Sequence, residues 1–320
     1  MPDLIFDIAN DEQFDMYLLI KLAEVRQDRN GNNYIAFTFQ DRSGSIEGKY
    51  WNASDQDIAH FQSGLVAKVA GRRELYNGQP QVRINSIRLA EADEPQDPGE
   101  FIQAGPMTKS EMVEEVNQIL AEINEPTIKK IVRHILNQHV EGFLSYPAAK
   151  KHHHAFYGGL AFHTISMLRL AQHIANQYPT VDKSLLYAGT LIHDIGKTIE
   201  LSDPLTTEYT LKGNLIGHIS LVDELITETC LALDIDQNQE VVILLKHMVL
   251  SHHGKQEWGS PVVPHLLEAE ILHHIDNLDA SIQMMLTALD QTKPGEFSPR
   301  VYGLDGRNFY RPNSYQEQID

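Results

Sequence analysis

Cysteine is almost missing: Cys230 is the only one in 320 residues. A disulfide framework is therefore excluded, and the apolar and acidic run around it, "LITETCLALD", reads as the setting of a small buried hydrophobe. Long apolar runs are missing too. Nothing approaches the roughly 20 residues that span a bilayer, and "MPDLIFDIANDEQF" lacks the cationic start and apolar stretch of a secretion signal. A cytoplasmic protein without membrane contact is expected. Cations are few, with 26 Lys and Arg against 44 Asp and Glu and a net charge of −18. Such a chain does not coat nucleic acid by bulk electrostatics, which needs clustered Lys and Arg, although a local site reinforced by metal ions can still hold a polyanion. No internal repeat or low-complexity tract is visible.

What is present divides in two, and 320 residues suffice for two cores. Residues 16 to 90 are short alternating segments: "YLLIKLAEVRQ", "NNYIAFTFQDR", "SIEGKYWNA", "GLVAKVAGRREL" and "QPQVRINSIRLA". Turn signals at Asn30-Gly31 and Ser43-Gly44 separate them, and "DQDIAHFQ" inserts a short helix before the fourth. Five strands and one helix predict an OB-fold β-barrel over residues 1–92. Such barrels bind single-stranded nucleic acid by stacking bases on aromatic faces and tracking phosphates with cations. Tyr34, Tyr50, Trp51 and Tyr76 with Lys49, Arg72, Arg73 and Arg83 are the candidates, against the alternative that the rings plug the barrel; Phe37 and Phe39 are expected in the core.

Acidic residues, Pro and Gly dominate "EADEPQDPGEFIQAGPM", which predicts a linker over 93–108. From there "SEMVEEVNQILAEI" repeats apolar residues at three and four, with Ser110 as a near-miss for a capping box, and helical spacing continues to about residue 290. An all-α domain over 109–290 and a tail over 291–320 are expected.

Histidines decide the chemistry. Of 16, all but His60 fall between residues 134 and 274. Their neutral nitrogens suit Mn, Fe, Co, Ni or Zn, and carboxylates add harder oxygen ligands. They arrive in separated apolar runs: "GGLAFHT", "LIHDIGK", "LIGHIS", "LSHHGK" and "ILHHIDNLDA". In "LIHDIGK" the adjacent His193 and Asp194 diverge by roughly 100° on a helix, so they do not serve as a private pair. Lys197 returns to their face and is placed to hold a phosphate oxygen as charge builds, or to be a solvated cap. His153 and His154, in "HHHAF", are placed at a pocket rim near substrate, against the alternative that they only support the ligands or the fold. His247 points elsewhere on its helix, His273 and His274 are read as structural, and His134 and His139 as bland.

The ordered series His, His-Asp, His, His, Asp resembles that of the HD-domain metal phosphohydrolases. The resemblance implies that His163, His193, Asp194 and Asp276 hold one metal. It implies that His218, with His252 or His253, and a shared Asp194 hold a second. The third body between His193 and Asp194 is then a metal ion, and the expected chemistry is metal-activated hydroxide attack on phosphorus, with Asp194 and Lys197 catalytic.

The wider chain is similar to YhaM-type 3′→5′ exoribonucleases, which join an OB-fold to an HD domain. "YPAAKKHHHAFYGGLAFHT", "LIHDIGKTIEL", "GNLIGHISL", "HMVLSHHGKQEWGSPVVPHLLEAEILHHIDNLDA" and "RNFYRPN" carry that likeness. It implies removal of nucleoside 5′-monophosphates from single-stranded RNA, often also single-stranded DNA, with Mn²⁺ favoured over Mg²⁺, Co²⁺, Fe²⁺, Ni²⁺ or Zn²⁺, and homo-oligomeric assembly. Arg307 and Arg311, set among rings in the tail, are counted as substrate-facing, against the alternative that the tail packs on a neighbouring subunit. Two alternatives stand beside it: an HD phosphohydrolase of small nucleotides or cyclic dinucleotides, and a non-catalytic single-strand-binding protein. The "GYP" element that accompanies cyclic-di-GMP hydrolysis is missing after "SHHG".

Overall fold

In the first half of the chain, alternating apolar and polar residues put one side of each strand inward. The computed structural model describes residues 4–76, 78–102, 105–149, 154, 156–205 and 207–314. It divides into two compact units, Met1–Pro106 with Asp203–Glu208, and Met107–Ser202 with Tyr209–Asp320.

In the first unit β1 (Gln13–Gln27), β2 (Asn33–Asp41), β3 (Gly44–Trp51), β4 (Val66–Tyr76) and β5 (Gln79–Leu89) close a barrel in the order β1-β2-β3-β5-β4. All pairings are antiparallel except β3 with β5. β1 has 15 residues and bends at an irregularity between Ile20 and Leu22, which lets one long strand pair with both β2 and β4. Helix α1 (Asp55–His60) lies between β3 and β4, begun by a capping box between Ser54 and Asp57. The expected OB-fold is therefore present. Leu18, Ile20, Ile35, Phe37, Phe39, Ile46, Val69 and Val82 fill the barrel. Truncating a ring such as Phe37 to alanine would cost about 3–5 kcal/mol by cavity formation.

Described residues of the segment expected as a linker are held by contacts that its composition does not suggest. Glu94 receives the Tyr17 hydroxyl at 2.6 Å and pairs with Arg88 at 2.6 Å, the Arg42 Nε donates to Glu100 O at 2.8 Å, and Phe101 and Ile102 are buried. Two apolar residues in an acidic stretch are enough to dock it.

The second unit is helical: α2 (Lys109–Glu122), α3 (Pro126–Gln138), α4 (Val140–Ser145), α5 (Gly159–Gln177), α6 (Lys183–Ile192), α7 (Lys197–Glu200), α8 (Leu211–Leu215), α9 (His218–Ala232), α10 (Glu240–Ser251) and α11 (Leu267–Asp290). The cap of α2 is Thr108, not Ser110: its hydroxyl accepts from Glu111 N while the Glu111 carboxylate accepts from Thr108 N. α6 is apolar around its circumference, and every residue from Ser184 to Ile192 is buried. It is the axis of the unit, with α3, α5, α10 and α11 packed around it. Its C-terminal end delivers His193 and Asp194 into the interior.

Candidate metal centre

Helix α6 stops at Ile192, and the next turn keeps right-handed backbone through His193 and Gly196 before α7 begins. A Cβ on Gly196 would lie 2.4 Å from His218 O, so only glycine lets the start of α9 come this close. That approach sets His218 against Asp194. α5 contributes His163, the end of α10 contributes His252 and His253, and α11 contributes Asp276 and Asp279.

Asp194 lies at the middle of this constellation. Its Oδ2 is 3.3 Å from His193 Nε2, 4.0 Å from His163 Nε2 and 2.6 Å from Lys197 Nζ. Its Oδ1 is 3.3 Å from His218 Nε2 and 3.7 Å from His252 Nε2. On the Oδ2 side, His163, His193 and Asp276 have ligand atoms within 4.8 Å of one another, and so do His218, His252 and His253 as a second group. One carboxylate thus has a histidine cluster on each oxygen. His252 and His253 both fall in the second group.

The imidazoles are held in one orientation by their far nitrogens. His193 Nδ1 lies 2.8 Å from Thr190 O, His252 Nδ1 2.6 Å from Val249 O, and His253 Nδ1 2.8 Å from Trp258 O. A carbonyl only accepts, so each Nδ1 donates and each Nε2 keeps its lone pair. His218 Nδ1 meets Glu200 Oε1 at 3.1 Å, and His163 Nδ1 meets Asp279 Oδ2 at 2.7 Å, which gives the same tautomer through carboxylates. Such outer partners orient metal ligands and raise their basicity. Sequence reasoning assigned no role to Glu200 or these carbonyls, and counted Asp279 only among the candidates of "ILHHIDNLDA". The Asp276-x-x-Asp279 spacing, one helix face apart, was the available signal for Asp279.

The charge distribution suits a cation. Burial would raise the Asp194 and Asp276 carboxyls. Instead Lys197 and His193 hold Asp194, and His163 holds Asp276, far below the usual carboxylate range, so both are anions. Burial, with His253 and His193 nearby, pushes His252 well below an ordinary imidazole, which keeps it neutral and available as a ligand. Burial also works against charge on His163, but Asp276 and Asp279 outweigh it and bring that imidazole up to about 9. A divalent ion would take the place of that proton.

His193 Nε2, His218 Nε2, His252 Nε2 and Asp194 Oδ1 are buried and have no hydrogen-bond partner among the described residues. A buried polar atom left so costs about 1–3 kcal/mol, and four converging ones fit a metal cation better than an apolar core. The donor set of imidazole nitrogens and carboxylates suits divalent transition ions.

Other expected residues lie in varied places. Lys197 Nζ donates to Asp194 and, at 2.6 Å, to Ala148 O, which leaves its third N–H without an acceptor among the described residues. His154 is not at a rim: it is 3% exposed and meets Asp279 Oδ2 at 2.7 Å through Nε2, because the carboxylate draws it inward. His153 lies outside the described residues. His247 accepts from His265 N, away from the site, and His273 Nδ1 donates to His252 O at 3.1 Å. Arg311 is engaged within the chain: its Nη1 caps the end of α11 through Leu289 O at 3.2 Å and Thr292 O at 2.7 Å. Arg307 turns back to Leu304 O and stacks on Phe309.

In the barrel, Lys49, Arg83 and Arg72 are cross-strand neighbours over β3, β5 and β4. Trp51 and Tyr76 are 53% and 57% exposed, Lys49 Nζ lies within 5.8 Å of both ring centroids, and Tyr34 packs on Trp51 at 4.7 Å. This is a cationic row bordered by rings. Tyr50 differs, packing against the core with its ring 6.0 Å from Phe61, and Arg73 is drawn to the carbonyls of Phe6 and Ile8.

Residues 160–281 match the family model of the HD domain, and residues 20–90 match that of the OB-fold nucleic acid binding domain of the tRNA anti-codon type. Among solved structures, the second OB-fold domain of replication protein A from Methanococcus maripaludis is similar at 16% identity, covering 29% of this chain and 98% of that one, with a TM-score of 0.24. No helix among the described residues is long and apolar enough to cross a membrane. An HD domain marks a metal-dependent phosphohydrolase, and joined to an OB-fold nucleic acid binding domain it indicates a hydrolase that acts on nucleic acid.

Proposed function

We propose that this protein is a 3′→5′ exoribonuclease of YhaM type, releasing nucleoside 5′-monophosphates from single-stranded RNA and acting on single-stranded DNA as well. The observation that carries this reading is the pair of histidine clusters facing the two oxygens of Asp194, in a chain that also carries a ring-bordered cationic row on an OB barrel. Residues 1–92 are the strand-binding domain and 109–290 the hydrolytic one. Cytoplasmic location and homo-oligomeric assembly belong to the same reading.

His163, His193, Asp194 and Asp276 would hold one ion, and Asp194, His218, His252 and His253 a second, Mn²⁺ being favoured. When bound, such ions supply Lewis acidity that activates water and neutralises phosphoryl oxygens. The chain's own groups do the rest. Thr190, Val249 and Trp258 carbonyls and the Glu200 and Asp279 carboxylates fix the imidazoles before substrate arrives, which removes reorganisation from the reaction. Lys197 balances Asp194 and turns its third N–H to a non-bridging phosphate oxygen. Trp51, Tyr76 and Lys49 grip the strand, raising the local concentration of its end at the tethered site.

The test is digestion of 5′-labelled and 3′-labelled single-stranded RNA by metal-stripped protein, with Mn²⁺, Mg²⁺ or no metal restored. A descending ladder that keeps the 5′ label, while the 3′ label leaves as a mononucleotide only with metal, is expected. Intact RNA alongside hydrolysed small nucleotides would transfer the activity to the small-molecule alternative.

A further inference from the structure

We propose that the indole of Trp258 is a stacking platform for the base of the nucleotide whose phosphate is at the metal centre. The inference rests on the nucleic-acid reading above and adds a nucleobase subsite to it.

A cavity of about 270 Å³ opens at the centre, and its lining includes Asp194, Lys197, His253, Trp258, His273 and Asp276. That volume is near the lower end of small-ligand sites, about 300–1,000 Å³. Anions, a lysine and metal-ligand histidines explain where a phosphate would sit. They do not explain a large aromatic ring, 47% exposed, in the wall of the same cavity. A nucleotide has one part with a flat π-face, and that is its base.

The ring is held by its loop. At Gly254 the backbone takes φ +77°, and a Cβ there would lie 2.4 Å from the His273 ring, so the chain passes directly against that imidazole. The loop then closes on itself through Trp258 N to Lys255 O at 3.1 Å and Gly259 N to Gln256 O at 3.0 Å. The same turn presents Trp258 O to His253 Nδ1. One residue thus steadies a candidate ligand through its backbone and offers its side chain to the cavity. Lys255 Nζ lies 4.3 Å from the indole centroid, which steadies the ring by a cation–π contact. Stacking accepts any base, so the subsite serves an enzyme that must process every nucleotide in turn.

The test compares full-length wild type, Trp258→Ala and Trp258→Phe on single strands whose 3′-terminal residue either carries a base or is abasic. Wild type should remove the base-bearing residue roughly 10- to 100-fold faster in kcat/KM, the range a single aromatic–base stack supplies. Trp258→Ala should lose that preference and Trp258→Phe keep most of it, with metal content unchanged because the carbonyl on His253 is backbone. An equal preference in wild type and Trp258→Ala would overturn the subsite. A second readout needs no turnover. Trp51 and Trp258 are the two tryptophans, so Trp51→Phe leaves Trp258 as the sole indole emitter. Quenching by nucleoside 5′-monophosphate but not by ribose 5-phosphate supports the platform, even where oligonucleotides are not shortened and the nuclease reading fails. Equal response to both ligands removes it.

Discussion

Trp51 on the barrel is 53% exposed, whereas Asp194 in the helical unit is 3% exposed, and the contrast extends to their neighbours. Around Trp51 the contacts are long, with Lys49 Nζ 5.8 Å from its ring centroid and the Tyr34 ring centroid at 4.7 Å. Around Asp194 each imidazole is fixed through its far nitrogen, at 2.6 to 3.1 Å, to a carbonyl or carboxylate. An open surface built from separate rings and cations binds in small, nearly additive increments that salt weakens. A buried network acts as a unit, so removing one member disturbs all. Binding and chemistry should therefore respond to substitution in different ways.

Asp194→Asn probes the unit-like end of that contrast. It removes the charge facing both histidine clusters, and turnover should fall beyond the roughly 10³-fold that one electrostatic group supplies, while strand affinity in a filter-binding assay stays near wild type. Parallel loss of binding would mean that the barrel is not the separate grip described here. Lys197→Ala should lower kcat by roughly 10²–10³-fold with metal content retained. If elemental analysis shows metal lost instead, the lysine serves to balance Asp194 and not to hold phosphate. Asp279→Asn leaves every proposed ligand in place but weakens the partner of His163 Nδ1. Metal affinity by calorimetry should drop roughly 10- to 100-fold, and an unchanged affinity would make Asp279 only a packing residue. Lys49→Ala is the smallest expected effect. Strand affinity should fall a few-fold and the salt slope by about 0.7, one phosphate contact on a single strand, with kcat unaltered; a slope equal to wild type would take Lys49 off the phosphate path.

Legibility in the sequence followed the same divide between local pattern and tertiary position. Strand alternation and turn dipeptides marked the five-stranded barrel, because a pleat writes its burial directly into the order of residues. The ordered His and Asp motifs marked which side chains the helices bring together, since each sits at an apolar helix end or face. Local signals were offset where an equally suitable neighbour competed: Thr108, two residues before Ser110, has Glu111 at the reciprocal position and takes the cap. The acidic stretch from 93 to 108 read as a linker, and within it Phe101 and Ile102 are buried, because composition averages conceal two apolar residues. His154 and Arg311 are polar groups claimed by partners far along the chain, Asp279 and the carbonyls closing α11. The carbonyls of Thr190, Val249 and Trp258 could not be read at all. Every residue has a carbonyl, and only the fold selects which ones face an imidazole.

The central claim is that Asp194 joins two ion sites. Titrating metal-stripped protein with Mn²⁺, followed by electron paramagnetic resonance, tests it most directly. Two ions per chain with an exchange-coupled spectrum, giving way to isolated-ion signals in Asp194→Asn, is the predicted result. A single ion, or two that remain magnetically independent in the wild type, would contradict it.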